Sequence, residues 1–452
     1  MSPLITSNSG RYNPEPCFRD AVVHRSSGYN PLYLQDTCMN QYAVIVIGGG
    51  PAGLFCSLLL GKGGCKTLLL EKMPTCGRKL LLSGSGQCNL THTGPISEFT
   101  SHYGDHGRFI RPALMHFSNV KLISFFQDRG VPFRDDGNGK YFPESGKARD
   151  ILNVLLKEAN EAGVIIHTSE PVHTISHDIS GFTVTTRTDT YHSTGVVLAT
   201  GGYTYPVTGS TGDGYTLAQA LGHTIAEPGP ALTPIHTPNF PFRDLSGISF
   251  SQVPLTLYRE KKKVHEARGD LLFTHTGFSG PGILDMSRYF RAGDELRVSF
   301  IQYANINSAR EGLISRFSSG GVKQVKTILT SIPLPDRFVR LIMELAEVPP
   351  DMTCAQFPKE MRNRLIPMLL EYPVQEMKPG GENEAMVSRG GVSLDEVRKE
   401  SMESRILPGL YCIGEVLDID GDCGGYNLQA AFSTGALAAD TLLKKLKILE
   451  KI

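Results

Sequence analysis

The stretch Tyr42-Ala-Val-Ile-Val-Ile-Gly48-Gly-Gly50-Pro-Ala-Gly53 decides the fold of this chain. It indicates an apolar strand that runs into a glycine turn and then into a short helix. Gly48 permits the tight turn, Gly50 lets a pyrophosphate approach the backbone, and Gly53 lets the helix pack closely on the strand. The helix N-terminus offers unpaired N–H groups and a positive dipole end to the phosphates. The pattern therefore predicts a dinucleotide-binding site.

A second apolar strand, Thr67-Leu-Leu-Leu-Glu71, follows the helix and ends in an acid. Glu71 lies 18 residues after Gly53, close to the ~20 residues expected for a carboxylate that binds ribose hydroxyls. A glycine-rich turn between ordinary elements would not require this acid. Because the strand, the turn, the helix, the second strand and the acid all occur in the order and spacing of the motif, we interpret the segment as half of a dinucleotide-binding fold.

A second glycine-rich loop follows, Gly77-Arg78-Lys79-Leu-Leu-Leu-Ser-Gly84-Ser-Gly-Gln-Cys88-Asn89. Its bare backbone can lie against a flat ring or a phosphate, and Arg78 and Lys79 suit the charge of a pyrophosphate. The alternative is a surface turn with incidental charge. Cys88 is a candidate redox thiol, but no cysteine stands at a C-x-x-C spacing from it, so packing or backbone contact is the competing interpretation.

Composition limits the class of protein. The chain has 452 residues, which suggests two or three domains, and its 45 basic and 45 acidic residues give a formal net charge of zero. This balance argues against a nucleic-acid partner or an anionic membrane. The nine cysteines are odd in number and show no metal-binding spacing, so we expect free thiols, no metal site and a reducing, cytoplasmic compartment. No apolar run approaches the ~18 residues of a membrane span.

The pattern changes along the chain in a way that predicts its domains. Residues 1–40 lack periodicity and the residue order of a secretory signal, so we expect a disordered extension. Proline-rich, alternating runs over 225–385 predict a β insertion, within which helical spacing over about 306–372 indicates a helical cap. The α/β patterns on either side, 41–224 and 386–452, are then two segments of one dinucleotide-binding domain.

Other segments could meet the cofactor or substrate. One strand ends in Thr200-Gly201-Gly, and another, Gly409-Leu-Tyr-Cys-Ile-Gly414-Glu415, runs into an acidic turn. A glycine-rich loop over 421–425 precedes a helix predicted to start at Asn427, whose dipole can point at the cofactor. His275 is a candidate proton donor, although a histidine that starts a turn is more often structural.

These motifs resemble the glutathione-reductase-like FAD flavoproteins. More narrowly, four segments are similar to a prokaryotic family of NAD(P)/FAD-dependent oxidoreductases that includes dehydro-bile-acid reductases and aminoacetone oxidases. The four segments are 77–89, 273–281, 388–392 and 414–427. The resemblance spans roughly 41–445 and implies an α/β protein in which a Rossmann-type FAD-binding domain is interrupted by a β-barrel insertion carrying a helical cap.

The resemblance also implies a set of FAD contacts along both segments. We expect them to be Gly48, Gly50, Pro51, Ala52, Gly53, Glu71, Lys72, Arg78, Lys79, Gly84, Gly86, Cys88, Asn89, Val172, Thr200, Gly201, Gly414, Glu415, Gly425, Tyr426, Asn427 and Leu428. In the family, the equivalents of Glu71, Val172 and Glu415 contact the adenosine ribose, the adenine and the ribityl chain. Two positions depart from it: Gln87 stands where arginine is usual, and Cys423 where threonine is common.

The implied function is an FAD-dependent oxidoreductase that reduces an activated carbon–carbon double bond of a small organic substrate, with NAD(P)H as electron donor. The segment Gly209-Ser-Thr-Gly212-Asp-Gly214 lacks a suitable preceding strand, so no second dinucleotide domain is expected and NAD(P)H would bind transiently. This keeps an amine oxidase that uses oxygen as an alternative. A third possibility is an FAD-dependent tRNA-modifying protein, which the zero net charge opposes.

Overall fold

A computed structural model describes residues 40–374 and 376–449 of the chain. The expected disordered extension over 1–40 falls, except for Asn40, outside the described residues. The strands are β1 (Gln41–Ile47), β2 (Thr67–Glu71), β3 (Thr91–His92), β4 (Phe133–Asp135), β5 (Lys140–Pro143), β6 (Ile165–Thr168), β7 (Val172–Asp178), β8 (Gly181–Thr186), β9 (Thr190–Leu198), β10 (Ile225–Ala231), β11 (Ile235–His236), β12 (Ser249–Arg259), β13 (Lys262–Phe273), β14 (Gly277–Ser279), β15 (Glu295–Val298), β16 (Tyr372–Val374), β17 (Lys378–Pro379), β18 (Val387–Val392) and β19 (Leu410–Cys412). The helices are α1 (Pro51–Lys62), α2 (Gly107–His116), α3 (Asn119–Gln127), α4 (Ala148–Glu161), α5 (Asp213–Ala220), α6 (Pro281–Met286), α7 (Ile306–Ser319), α8 (Val325–Thr330), α9 (Asp336–Leu345), α10 (Lys359–Leu370) and α11 (Tyr426–Leu449).

A parallel sheet with the strand order β6-β2-β1-β9-β19 forms the centre of the α/β part of the fold. Residues Val44 to Val46 of β1 are fully buried, as expected for a strand covered on both faces of a parallel sheet. The β7–β8 hairpin extends the sheet, because β8 pairs antiparallel with the first half of β9. Strand β19 comes from the C-terminal part of the chain and pairs with β9, so two distant segments build one sheet.

Helices α1 and α11 pack closely beside this sheet. A Cβ on Gly435 would lie 2.8 Å from the carbonyl oxygen of Ala52, a distance that only a glycine avoids. The two helices therefore approach at backbone contact, with the middle of α11 against the first turn of α1. The separation between the two helix axes is small because Gly435 has no side chain.

Seven strands in the order β16-β15-β12-β13-β14-β11-β17 form the antiparallel sheet of the insertion. The two edge strands, β16 and β17, are separated by residues 375–377 only. Four residue steps span at most about 14 Å, so the two edges of the sheet are drawn together, as a barrel requires. The chain enters and leaves this region through the antiparallel pair β10 and β18, in which Ile225 lies opposite Val392.

Helices α7 to α10 pack against the antiparallel sheet and share its hydrophobic core. The ring centroid of Phe338 on α9 lies 5.0 Å from that of Phe250 on β12 and 4.7 Å from that of Phe300. Such close aromatic pairs stabilise a common interior. These helices are therefore part of the core of the insertion.

Three further findings concern the described part of the chain. No helix in it is both long and apolar enough to cross a membrane. None of the seven cysteines in this part forms a disulfide bond. Within the same residues, no group of three or more histidine, cysteine, aspartate or glutamate side chains is placed to hold a metal ion.

Candidate active site

A cavity of about 760 Å³ opens where the parallel strands end. Its wall includes Ile47 at the end of β1, Glu71 at the end of β2, Thr200 just after β9 and Ile413 just after β19. This is the carboxyl edge of the sheet, where open α/β folds bind their ligands. The volume lies within the range of ~300–1,000 Å³ typical of ligand and cofactor sites. The N-terminal and C-terminal segments of the α/β part both contribute residues to the cavity wall.

The glycine turn after β1 is shaped by close backbone contacts. Gly48 adopts φ +109°, and a Cβ there would lie 2.4 Å from the carbonyl oxygen of Ala199. A Cβ on Gly53 would lie 2.0 Å from the carbonyl oxygen of Gly48. In contrast, a Cβ on Gly50 would meet no described atom within 4 Å. The space above Gly50 is open, and the first-turn N–H groups of α1 have no partner within the helix, so a phosphate can fit there.

The carboxylate of Glu71 is fixed in the cavity wall. The backbone N–H of Gly49 donates to its Oε2 at 2.6 Å, and the N–H of Met73 donates to its Oε1 at 2.8 Å. Hydrogen bonds to a charged acceptor are stronger than those between neutral groups. The acid is therefore oriented at the end of β2, where it can accept a hydrogen bond from a ribose hydroxyl.

Three buried polar atoms of the cavity wall lack a hydrogen-bond partner within the described chain. They are Nε of Arg78, Oγ1 of Thr200 and Oγ of Ser210. Leaving such an atom unsatisfied costs about 1–3 kcal/mol, so these atoms indicate that a polar ligand completes the site. Together with the open space above Gly50 and the fixed Glu71, they fit a dinucleotide cofactor with its phosphates at the turn.

Two lysines of the cavity wall form ion pairs with neighbouring acids. The ammonium of Lys72 lies 2.8 Å from Oδ1 of Asp213 and donates to Thr211. The ammonium of Lys79 lies 2.8 Å and 2.9 Å from the two carboxylate oxygens of Glu415. The expected cofactor contacts Lys79 and Glu415 therefore pair with each other across the cavity. The pair ties the loop after β2 to the turn after β19.

The loop before α11 closes the other end of the cavity. Asn427 accepts a hydrogen bond from the N–H of Gly421 at 2.7 Å and donates to its carbonyl oxygen at 2.8 Å. Asn427 and Leu428 stand at the start of α11 and line the cavity. The positive end of the α11 dipole therefore faces any ring that occupies this end.

A charged cluster anchors this loop on the insertion. Arg288, which is only 7% exposed, lies 3.0 Å from Oδ2 of Asp420 and 2.7 Å from Oδ1 of Asp422. Nδ1 of His102 lies 2.9 Å from the other oxygen of Asp422. Asp285 accepts a hydrogen bond from the N–H of Cys423 at 2.6 Å. Burial and, to a lesser extent, the charge of Asp422 raise the pKa of Asp285 to about 7.

All but four of the expected cofactor contacts lie in the cavity wall. The exceptions are Gly53, Gly86, Cys88 and Tyr426. Gly53 packs against the backbone of Gly48 inside the turn, and Gly86 lies in a 3-10 turn with φ +87°. The ring of Tyr426 stacks on the ring of His102, with 4.1 Å between their centroids.

The two candidates for direct chemistry are not placed for it. Cys88 is fully buried outside the cavity wall, and burial raises the pKa of its thiol to about 12. His275 is exposed in the turn between β13 and β14 and does not line the cavity. The structure therefore supports a packing role for Cys88 and a surface position for His275.

Sequence reasoning missed several residues of the wall. They are Ser83, Ser85, Lys140, Phe142, Leu232, Met386, Val387, Asp422 and Cys423. The alternating acids Asp418, Asp420 and Asp422 were a visible signal for the charged cluster, but Leu232 and Val387 belong to no motif.

Gln87, where the family usually has arginine, accepts a hydrogen bond from Arg134 at 3.0 Å, so a guanidinium still stands beside this loop. None of the described residues of α7 to α10 lines the cavity.

Comparisons with known proteins agree with this geometry. The chain is 30% identical over 407 residues to the ribosomal RNA dihydrouridine synthase of Escherichia coli, an alignment that covers 90% of this chain and 99% of that protein. It is 31% identical to the ribosomal RNA dihydrouridine synthase of Haemophilus influenzae, with 89% and 98% covered. It is 28% identical to the 3-dehydro-bile acid delta(4,6)-reductase of Clostridium scindens, with 87% and 97% covered.

The sequence profile of the HI0933-like protein Rossmann domain matches residues 42–441. This range contains the glycine turn, the antiparallel insertion and the loop before α11. The resemblance drawn from the motifs, the Rossmann-type α/β fold and the FAD-dependent chemistry are confirmed. The chain belongs to the HI0933-like Rossmann family of FAD-dependent oxidoreductases.

Proposed function

We propose that this protein reduces a carbon–carbon double bond conjugated to a carbonyl group, and that NAD(P)H supplies the electrons. The names of two kinds of relative support this reaction. Dihydrouridine is uridine whose C5–C6 bond is saturated, and in uridine that double bond is conjugated to a ring carbonyl. A delta(4,6)-reductase of a 3-dehydro bile acid acts on double bonds conjugated to the 3-oxo group. Both substrates are therefore electron-poor alkenes that accept hydride.

The observation that carries the proposal is the division of the cavity wall. The side of the glycine turn is polar and holds unsatisfied buried atoms, which suit the cofactor. The β10–β18 junction contributes Leu232, Met386 and Val387. An apolar surface beside a flavin suits a planar conjugated substrate, because burial of apolar area is favourable.

The residues of this chain would act by holding and orienting. When bound, FAD supplies a hydride. Glu71 would bind the adenosine ribose, the turn at Gly50 would hold the phosphates, and the N-terminus of α11 would stabilise negative charge at the ring edge of the cofactor. Met386 and Val387 would exclude water from the face on which the substrate lies.

The electron donor is part of the proposal. Gly209 and Ser210 line the same cavity, and α5 begins directly afterwards at Asp213. Its place in the cavity wall supports a donor that binds in this cavity and not at a second dinucleotide site. We propose that NAD(P)H would bind transiently at the apolar face, where it would supply electrons to bound FAD, and would leave before the alkene binds.

A uridine in ribosomal RNA is the second candidate substrate. The two dihydrouridine synthases favour it, since each is aligned over almost its whole length. The expectation of no nucleic-acid partner rests on the zero net charge of the whole chain. Arg316, Lys323 and Arg340 are exposed on the helical part of the insertion, where they could contact RNA phosphates.

An anaerobic half-reaction experiment tests the proposal. The FAD-loaded protein is reduced with NADH or NADPH and then mixed separately with a cyclic enone, with ribosomal RNA that lacks dihydrouridine, and with buffer. Reoxidation of the flavin by the enone or by the RNA, with saturation of the substrate, supports the reductase and identifies its substrate class. Reduction of the oxidised enzyme by primary amines, with peroxide released in air and no reaction with either alkene, would instead support the amine oxidase.

A further inference from the structure

Cys423 occupies a defined place in the cavity wall. It is half-buried and packs against Leu232, Leu284 and Val387, of which Leu232 and Val387 also line the cavity. Its backbone N–H donates to Asp285 at 2.6 Å. The preceding residue, Asp422, is held by Arg288. The thiol therefore stands on the apolar side of the cavity, on backbone anchored to the insertion.

Lys140 on β5 belongs to the same wall. It lines the cavity, and its ammonium is close enough to the Cys423 thiol to lower the pKa of that thiol. In the described part of the chain, this ammonium makes no salt bridge, although its charge also helps to lower the pKa of Asp136. In contrast, Lys72 and Lys79 are paired with acids. Lys140 is therefore available to an anion that forms at this end of the cavity.

The thiol carries its proton at neutral pH. Burial and the neighbouring carboxylates of Asp285 and Asp422 raise the pKa of Cys423 to about 11, and Lys140 only partly opposes them. A protonated, half-buried thiol can donate a proton to a strongly basic carbanion. It can then be left as a thiolate if a positive charge stands opposite.

Resting on the function proposed above, we propose that Cys423 is the catalytic residue that protonates the α carbon of the substrate, with Lys140 stabilising the anionic charge. The β carbon accepts a hydride from the reduced flavin, and the π electrons of the double bond move into an enolate. The α carbon then takes the thiol proton, so that a C–H bond forms and the S–H bond breaks. The electron pair left on sulfur faces Lys140 until water returns a proton. One hydride and one proton saturate the bond.

The two donors predicted from the sequence, and Asp285, are less well placed. Cys88 and His275 lie outside the cavity wall. Asp285 also lies outside it, behind the backbone of Cys423. The family commonly has threonine in place of Cys423, and a threonine hydroxyl can donate a hydrogen bond but is a far weaker acid than a thiol. The Cys423→Thr variant therefore separates proton transfer from hydrogen bonding.

The first experiment compares two alkenes. The FAD-loaded wild type, Cys423→Ala, Cys423→Thr and a matched control, Cys65→Ala, are reduced anaerobically and mixed with a cyclic enone or with 1-nitrocyclohexene. A nitroalkene that accepts hydride becomes a nitronate, which is stable enough to leave without a proton. We expect both Cys423 variants to slow enone reduction by about 10²-fold or more, the usual contribution of general acid catalysis, and to keep the nitroalkene rate near that of the wild type and Cys65→Ala.

The second experiment needs no turnover. The flavin-free protein is incubated for a long period with iodoacetamide at alkaline pH, where a thiol of raised pKa is partly ionised. The labelled cysteines are mapped by mass spectrometry with and without FAD plus 4-nitrophenol, a planar mimic of an enolate. We expect label on Cys423 that the two ligands together block, while label on Cys65 is unchanged.

The possible outcomes separate the two proposals. Equal loss of both alkene rates would show that Cys423 only shapes the site, and unchanged enone rates, or Cys423 label that the ligands do not block, would remove it from the reacting end of the cavity. Each of these results overturns the inference while enone reduction by the wild type stands. If the wild type reduces neither alkene, the proposed function fails, and the inference fails with it.

Discussion

Replacing Gly50 with alanine is expected to remove the cofactor and to leave the fold intact. Gly50 has φ −76° and ψ −179°, a conformation open to any residue, and its added Cβ would meet no described atom within 4 Å. The substitution should therefore change the free energy of unfolding by less than about 1 kcal/mol. The methyl group would occupy the space intended for the pyrophosphate, at the N-terminus of α1.

The expected loss of FAD affinity follows from the N–H donors at the N-terminus of α1. Displacing the phosphates from the N–H groups of Ala52 and Gly53 removes two charge-assisted hydrogen bonds, each worth about 1.5–3 kcal/mol. The sum corresponds to an increase of about 10²- to 10⁴-fold in the dissociation constant of FAD.

Isothermal titration of the flavin-free protein measures this constant, and thermal unfolding without FAD measures the fold. Gly53→Ala is the matched comparison, because its Cβ would lie 2.0 Å from the carbonyl oxygen of Gly48 and must disturb the turn itself. We expect Gly53→Ala to lower both the melting temperature and the FAD affinity. A Gly50→Ala variant that binds FAD as tightly as the wild type would refute the placement of the phosphates.

Three further predictions follow from individual contacts. The raised pKa of Asp285 means that the native state binds this proton more tightly than the unfolded state, so stability should fall as pH rises from about 4 to 7; Asp285→Asn should flatten this slope in urea unfolding curves. Lys79→Met should destabilise the protein by about 1–3 kcal/mol because Glu415 loses the cation beside it, and Glu415→Gln added to it should recover part of the loss. Phe338→Ala should cost about 3–5 kcal/mol in unfolding experiments, with no change in FAD affinity at low temperature, because its ring belongs to the core of the insertion.

Local sequence was sufficient to predict the Rossmann-type part of the fold. The turn from β1 into α1 depends on glycines whose roles are fixed by neighbouring backbone, and Glu71 is placed by the length of one helix and one strand. The start of the last helix was predicted at Asn427 and lies at Tyr426. The difference of one residue is small because the glycine loop before it ends the preceding segment.

Contacts between distant segments could not be predicted in the same way. Arg288 and Asp422 are 134 residues apart, and neither lies in a sequence pattern that predicts contact with the other. The helices from 306 onward were expected as a cap, because their amphipathic spacing shows that one face is buried but not what covers it. Phe338 packs on Phe250 of β12 and on Phe300, and the described cavity wall draws no residue from these helices.

We infer that the two Rossmann segments together bind FAD in the cavity between the turn at Gly50 and the loop before α11. The most direct measurement is a titration of the flavin-free wild-type protein with FAD, followed by flavin fluorescence and by calorimetry. We expect saturable binding of one FAD per chain. A protein that is folded but takes up no FAD would contradict it.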